Sequence, residues 1–222
     1  MFAGHVGAAL AIARAERRVN VGAFVFAALL PDVVLWLLVL SGWESVRIPA
    51  NFADTRQPEF VFPYSHGLLT SIAWSALAGA AAFVRYRPLL KQAALRAAAL
   101  VAAAVFSHWL LDALVHAPEL PLAGTASTKF GLGLWQHLPV ALAAESALVV
   151  AGICLFVPGS VLARVKTLSL AALSLLLLGF TVAGMTVAPP PPSALAMAGS
   201  SLITLIVVCA LTTWLGRLPH AR

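Results

Sequence analysis

Residues 106–116 read FSHWLLDALVH, an eleven-residue stretch within a run otherwise as apolar as a membrane span. His108, Asp112 and His116 fall at i, i+4 and i+8, so on an α-helix they drift by only about 80° and share one face. The other side of that helix (Trp109, Leu110, Leu111, Ala113, Leu114, Val115) suits lipid or packed neighbours. The imidazole–carboxylate–imidazole stripe has to face protein, water or a cation, because ionisable groups are costly in hydrocarbon. A His-x-x-x-Asp pair on a helix can aim two ligands at one divalent metal. The same triplet can also serve as hydrogen-bonded glue between two membrane helices.

Composition sets the class of protein. The chain has 222 residues, of which 61% are hydrophobic and 10% charged, with a mean hydropathy of +0.95. This predicts an all-α fold, a polytopic transmembrane helical bundle forming a single integral membrane domain over 1–222. The formal charge of +6 does not point to nucleic acid, because the basic residues lie in short clusters between apolar spans, where they set topology. Cys154 and Cys209 fall within apolar spans and read as small core hydrophobes rather than a disulfide.

Six full spans are expected at about 21–40, 66–84, 97–116, 132–157, 168–187 and 194–215, preceded by a short apolar piece. That piece, MFAGHVGAALAIA, falls short of the ~20 residues a crossing needs and lacks a basic n-region, so it reads as a half-helix or re-entrant helix rather than a cleaved leader. Basic clusters at 14–18, 85–96, 164–166 and 217–222 follow every second crossing, which places both termini in the cytoplasm, with the N-terminal piece re-entrant. Residues 1–157 would form a metal-site bundle. Spans 168–187 and 194–215 hold no acid or histidine and read as scaffold. His220, in the basic tail, is expected to face solvent.

That topology gathers ionisable groups in the outer half of the membrane. Asp32 lies roughly 17 Å into the first span, beside Pro31, which interrupts the helical ladder. His66 opens the second span, the stripe occupies the outer half of the third, His137 and Glu145 descend the fourth, and His5 reaches mid-membrane. Asp32, Asp112 and Glu145 lie within spans that hold no Lys or Arg in their interiors, so something must neutralise them. Candidates are protonation, histidinium partners or one or two divalent cations. For a cation, this ligand set suits Zn2+ foremost, with Mn2+ or Fe2+ as alternatives. The expected ligands are His66, His108 and Asp112, with Asp32 as fourth and His5 and His116 next, either in a second site or orienting the first. Asp32 or Glu145 could act as general base, and Arg47 on the outer loop could meet an anionic headgroup. His137 reads equally well as an interfacial histidine.

In combination, GH near the start, LLPD in the first span, WESVRI after it, YSHGLL opening the second, FSHWLLDALVH in the third and KFGLGLW before Glu145 resemble a family of bacterial inner-membrane proteins labelled membrane-bound metal-dependent hydrolases. The resemblance covers about 1–156. It implies a location in the bacterial inner (cytoplasmic) membrane and hydrolase activity. The best-known branch carries an Arg-rich motif where this chain reads FPYSHGLLTS. The order His5, Asp32, His66, His108, Asp112, His116, His137, Glu145 is also distantly similar to the ligand order of zinc-dependent phospholipases C, which implies phosphoester cleavage. Two functions follow as expectations. One is a metal-dependent hydrolase acting on a membrane lipid or lipid-linked substrate; the other is a non-enzymatic carrier of metal ions or small solutes that uses the same residues as a transit site.

Overall fold

The computed structural model describes residues 1–217, so His220 and Arg222 lie outside the described residues. The chain is an all-α helical bundle. Its helices are α1 (Phe2–Ala13), α2 (Val21–Leu40), the one-turn α3 (Phe52–Thr55), α4 (Leu68–Leu90), α5 (Ala94–Val115), α6 (Leu138–Phe156), α7 (Arg164–Thr186) and α8 (Ala194–Leu215). Among the described residues, five helical stretches are long and apolar enough to cross a membrane, and one of them, Leu68–Val115, comprises both α4 and α5. The chain reverses between these two at Lys91, whose φ of 49° breaks the helix. The arms then pack closely, with Gly79 facing Ala98 and Ala102.

The long helices differ from the expected spans at several ends. α4 starts after His66 and runs past Arg85 and Arg87 to Leu90, and α5 starts at Ala94. His137 caps α6 from outside the helix instead of descending within it. The polar loop after α2 contains a hairpin of β1 (Ser45–Arg47) with β2 (Glu59–Val61), and a second small ladder joins β3 (Leu120–Pro121) to β4 (Lys129–Phe130). Cys154 is exposed on α6 and Cys209 half-buried on α8, so neither is a fully buried core residue.

α1 has 12 residues and is about 18 Å long, too short to cross a bilayer. It is nonetheless among the most enclosed elements, with Ala3, Ala9 and Leu10 almost wholly buried against α2, α5 and α6. Glycine permits that enclosure. A Cβ on Gly7 would meet the Leu148 carbonyl oxygen at 2.5 Å, and one on Gly152 would meet the Gly7 carbonyl oxygen at 2.2 Å, so the α1 and α6 backbones touch directly.

At one end of the bundle, the Arg14 side chain lies against Gly159, Asn20 caps α2 and donates to the Thr213 carbonyl, and Lys166 donates to the Arg217 carbonyl. The basic clusters therefore meet at this end. Glu16 is buried there and held by Arg18 Nε and Nη2, each at 2.7 Å, which keeps its carboxyl below the usual carboxylate range. The ionisable residues of the spans gather toward the other end.

Candidate metal centre

His66, His108 and Asp112 come together although they arise from separate parts of the chain. His66 sits in the turn before α4, two residues ahead of Leu68. His108 and Asp112 lie one turn apart on the buried face of α5. His66 Nε2 is 3.1 Å from His108 Nε2, and Asp112 Oδ2 is 3.1 Å from His108 Nε2 and 3.4 Å from His66 Nε2. Ligand atoms at the corners of a tetrahedron around zinc are separated by about 3.3 Å. All three residues are buried.

The outer contacts of the two imidazoles fix their tautomers. His108 Nδ1 lies 2.7 Å from the Ala28 carbonyl oxygen of α2. A carbonyl only accepts, so Nδ1 carries the hydrogen and Nε2 of the neutral ring presents a lone pair. His66 Nδ1 lies 2.8 Å from Ser65 Oγ, whose hydroxyl donates to Glu44 Oε2 at 2.6 Å. Ser65 therefore accepts from Nδ1–H, and His66 Nε2 is also a lone pair. Glu44 is held in turn by the amides of Tyr64 and Ser65. Asp112 Oδ1 is occupied by His5 Nε2 at 3.1 Å and the Met1 amino nitrogen at 3.2 Å, which leaves Oδ2 turned toward the two imidazoles. With both rings neutral, three acceptor atoms thus face one another at close range in a buried site, an arrangement relieved either by a divalent cation among them or by a proton on one of the two imidazoles.

Other acidic and histidine side chains surround this triad. Asp32 Oδ1 is 3.6 Å from His66 Nε2 and 3.7 Å from His108 Nε2. His5 stacks on His108 with centroids 3.8 Å apart, and its Nδ1 is buried without a hydrogen-bond partner. His5, Asp32 and His108 form a second group of converging ligand atoms. Because Nδ1 of His108 is committed to Ala28, its single remaining lone pair cannot serve both groups at once. His116 Nδ1 pairs with Glu119 at 2.5 Å, and its Nε2 stands 3.9 Å from Asp112 Oδ2. The segment 131–133 straps the end of α5: Leu132 N and Gly133 N donate to the carbonyls of Ala113 and His116, and a Cβ on Gly131 would strike the Ala117 carbonyl oxygen at 2.1 Å. The KFGLGLW motif thereby fixes the α5 terminus that carries His116.

Two expectations are corrected, and His137, for which two readings were open, falls outside the cluster. Arg47 pairs with Glu59 across the β1–β2 hairpin and does not line the cavity beside the triad; Arg56, nine residues on, does. His137 is exposed at the start of α6 and stands apart from the cluster. The last two helices are more than scaffold, since Phe180, Thr181 and Gly184 of α7 and Met197, Ser200 and Thr204 of α8 form a wall of that cavity. Glu145 is 1% exposed, lines the cavity and accepts the Gly4 amide at 3.0 Å, so it caps the start of α1 and sets the approach of His5. Glu44, Ser65 and Glu119 escaped sequence reading as partners of the site. Only the Ser-His adjacency in YSHGLL hinted at one of them.

The cavity has a volume of about 360 Å³. Asp32, His66 and Asp112 form its floor, and Trp36, Phe60, Phe62 and Trp135 stand around them. The buried His/Asp groups can hold a divalent metal ion, within reach of a molecule entering this space. No protein-family model, curated protein or solved structure matches the chain.

Proposed function

We propose that this protein is a membrane-embedded metal-dependent hydrolase, with zinc as its metal, acting on a lipid-linked or phosphoester substrate in the outer half of the bacterial inner membrane. The observation that carries the reading is the facing of three acceptor atoms, His66 Nε2, His108 Nε2 and Asp112 Oδ2, at 3.1–3.4 Å. A divalent cation supplies Lewis-acid activation of water and offsets negative charge that develops on the substrate.

The chain's own groups take distinct parts. His66, His108 and Asp112 hold the ion, with the Ser65–Glu44 pair and the Ala28 carbonyl orienting the two imidazoles. The Asp32 side chain is 21% accessible against 3% for Asp112 and lines the cavity, and so is placed to accept a proton from water or to complete the ligand set. The aromatic walls limit water around it. The gathering of basic residues at the opposite end supports a cytoplasmic location for that end and an outward-facing cavity.

Metal analysis of the purified protein in lipid, beside the His108→Ala and Asp112→Ala variants, tests the reading. About one divalent ion per chain is expected in the native protein and none in the variants. Hydrolysis of a water-soluble phosphodiester that falls by about 10²–10⁴ in Asp32→Asn, with metal content kept, assigns Asp32 as the base. Metal binding with zinc flux across proteoliposomes and no hydrolysis would instead establish a carrier. Labelling of cysteines placed at Asn51 and Thr125 from the cytoplasmic side alone would overturn the orientation.

A further inference from the structure

Arg56 stands out among the cavity-lining residues as a cation with no carboxylate in ion-pair contact among the described residues. Its backbone is held at φ 56°, in the left-handed region that a non-glycine residue adopts only at a cost. Its Nη1 donates to the Ala188 carbonyl beyond the end of α7, bridging the α2–α4 loop to the α7–α8 turn. The remaining guanidinium hydrogens have no protein acceptor among the described residues.

Neighbouring side chains in the same wall are donors without acceptors. Gln57 Nε2, Trp135 Nε1 and Thr181 Oγ1 are all buried and unpaired. Unmade hydrogen bonds at buried donors are costly, and several of them on one cavity point to a ligand rich in acceptor oxygens. Away from the triad, His116, Glu145 and the α8 hydroxyls, the lining of that space is largely apolar. Phe180 lines it while 60% exposed on the outer face of α7, and a Cβ on Gly184 would meet nothing within 4 Å.

We propose that Arg56, Gln57, Trp135 and Thr181 form a headgroup subsite facing the metal-binding triad, and that the substrate is a phosphate-bearing lipid whose chains leave between α7 and α8. The proposal rests on the metal reading for the reaction, while the subsite makes its own claim about binding. The phosphate is bound by Arg56 and the unpaired donors on one side and by the metal site on the other, which brings its ester bond to Asp32.

Calorimetric titration of the zinc-loaded protein in detergent, with dioctanoyl phosphatidic acid, dioctanoylglycerol and inorganic phosphate as separate probes, tests this. Phosphatidic acid should bind at least tenfold more tightly than either of the others. Arg56→Gln should weaken it at least tenfold, Arg56→Lys less, and Trp135→Phe by a few-fold with its ring retained. Arg47→Gln should leave it unchanged. Equal binding of dioctanoylglycerol, or indifference to both Arg56→Gln and Trp135→Phe, overturns the subsite even where metal analysis upholds the triad. Inorganic phosphate binding as tightly as the lipid overturns the lipid assignment. Arg56-dependent lipid binding in a protein that takes up no metal upholds the subsite and removes the hydrolase reading.

Discussion

The interface of α1 with α6 and the space between α7 and α8 are both built with glycine, to opposite effect. In the first, Gly7 and Gly152 let two backbones meet so closely that no Cβ fits between them. In the second, Gly184 lines the cavity and has nothing within 4 Å of a Cβ position. The tight pair presses α1 into the bundle and sets His5 flat against His108. The loose pair leaves room for a ligand. Rigidity on the ligand side and slack on the entry side suit a site whose donors must hold position while a bulky molecule enters.

The strongest way to break this contrast is at the rigid side. His108→Ala or Asp112→Asn should lower metal affinity by more than about 100-fold, since even residues behind metal ligands cost 10–100-fold, whereas Ser200→Ala on the open side should leave metal content intact. Zinc titration against a competing chelator measures both. The native protein should also lose thermal stability on chelation, by about 2.7 kcal/mol when the ion had been present at 100 times its dissociation constant, and Asp112→Asn should show no such response.

Removing only the supports of the imidazoles gives the next effect. Ser65→Ala and Glu44→Gln each free His66 Nδ1 from its acceptor chain and should weaken metal binding by about 10–100-fold. Glu59→Gln, which touches only Arg47 in the exposed hairpin, should not.

Glycine substitution sharpens the comparison further. Gly152→Ala forces its Cβ against the Gly7 backbone and should destabilise by about 1–3 kcal/mol or more. Gly199→Ala, helical and unobstructed, should stabilise by about 0.4–1 kcal/mol. Thermal midpoints in one detergent separate the two signs.

The smallest effect concerns the basic end. Arg18 depresses the Glu16 carboxyl pKa in the folded state, so the pair's stabilisation is present above the carboxyl's unfolded value and is lost as pH falls through the lower folded one. Glu16→Gln should remove that acid-side component, seen as a shallower loss of thermal midpoint below pH 4.5, the carboxyl's ordinary value.

The features readable in the sequence depend on short-range periodicity. The i, i+4 spacing of His108 and Asp112 identified one face of α5 without reference to the rest of the chain, and long apolar runs located the membrane-length helices. Contacts made by loops were less legible. Glu44 reaches Ser65 across 21 residues of loop because a hairpin with no strong turn signature folds the chain back. The same hairpin decides that Arg47 meets Glu59 while Arg56 faces the cavity, and two arginines nine apart in a polar loop carry no pattern that distinguishes them. The lining by α7 and α8 was invisible for another reason: their contribution is apolar surface and hydroxyl groups, which in a membrane helix resemble any lipid-facing span.

The triad has a consequence for biosynthesis. Every acid and histidine of the cluster except Glu119 and Glu145 lies before residue 117, so those side chains leave the ribosome roughly a hundred residues ahead of the end of α8, an interval of about 5–20 s at ordinary elongation rates. During that time α7 and α8, which wall the cavity, have yet to enter the bilayer. A cation taken up in that interval would hold His66, His108 and Asp112 together before the cavity walls arrive, so metal supply during synthesis would bear on how the half-built bundle assembles.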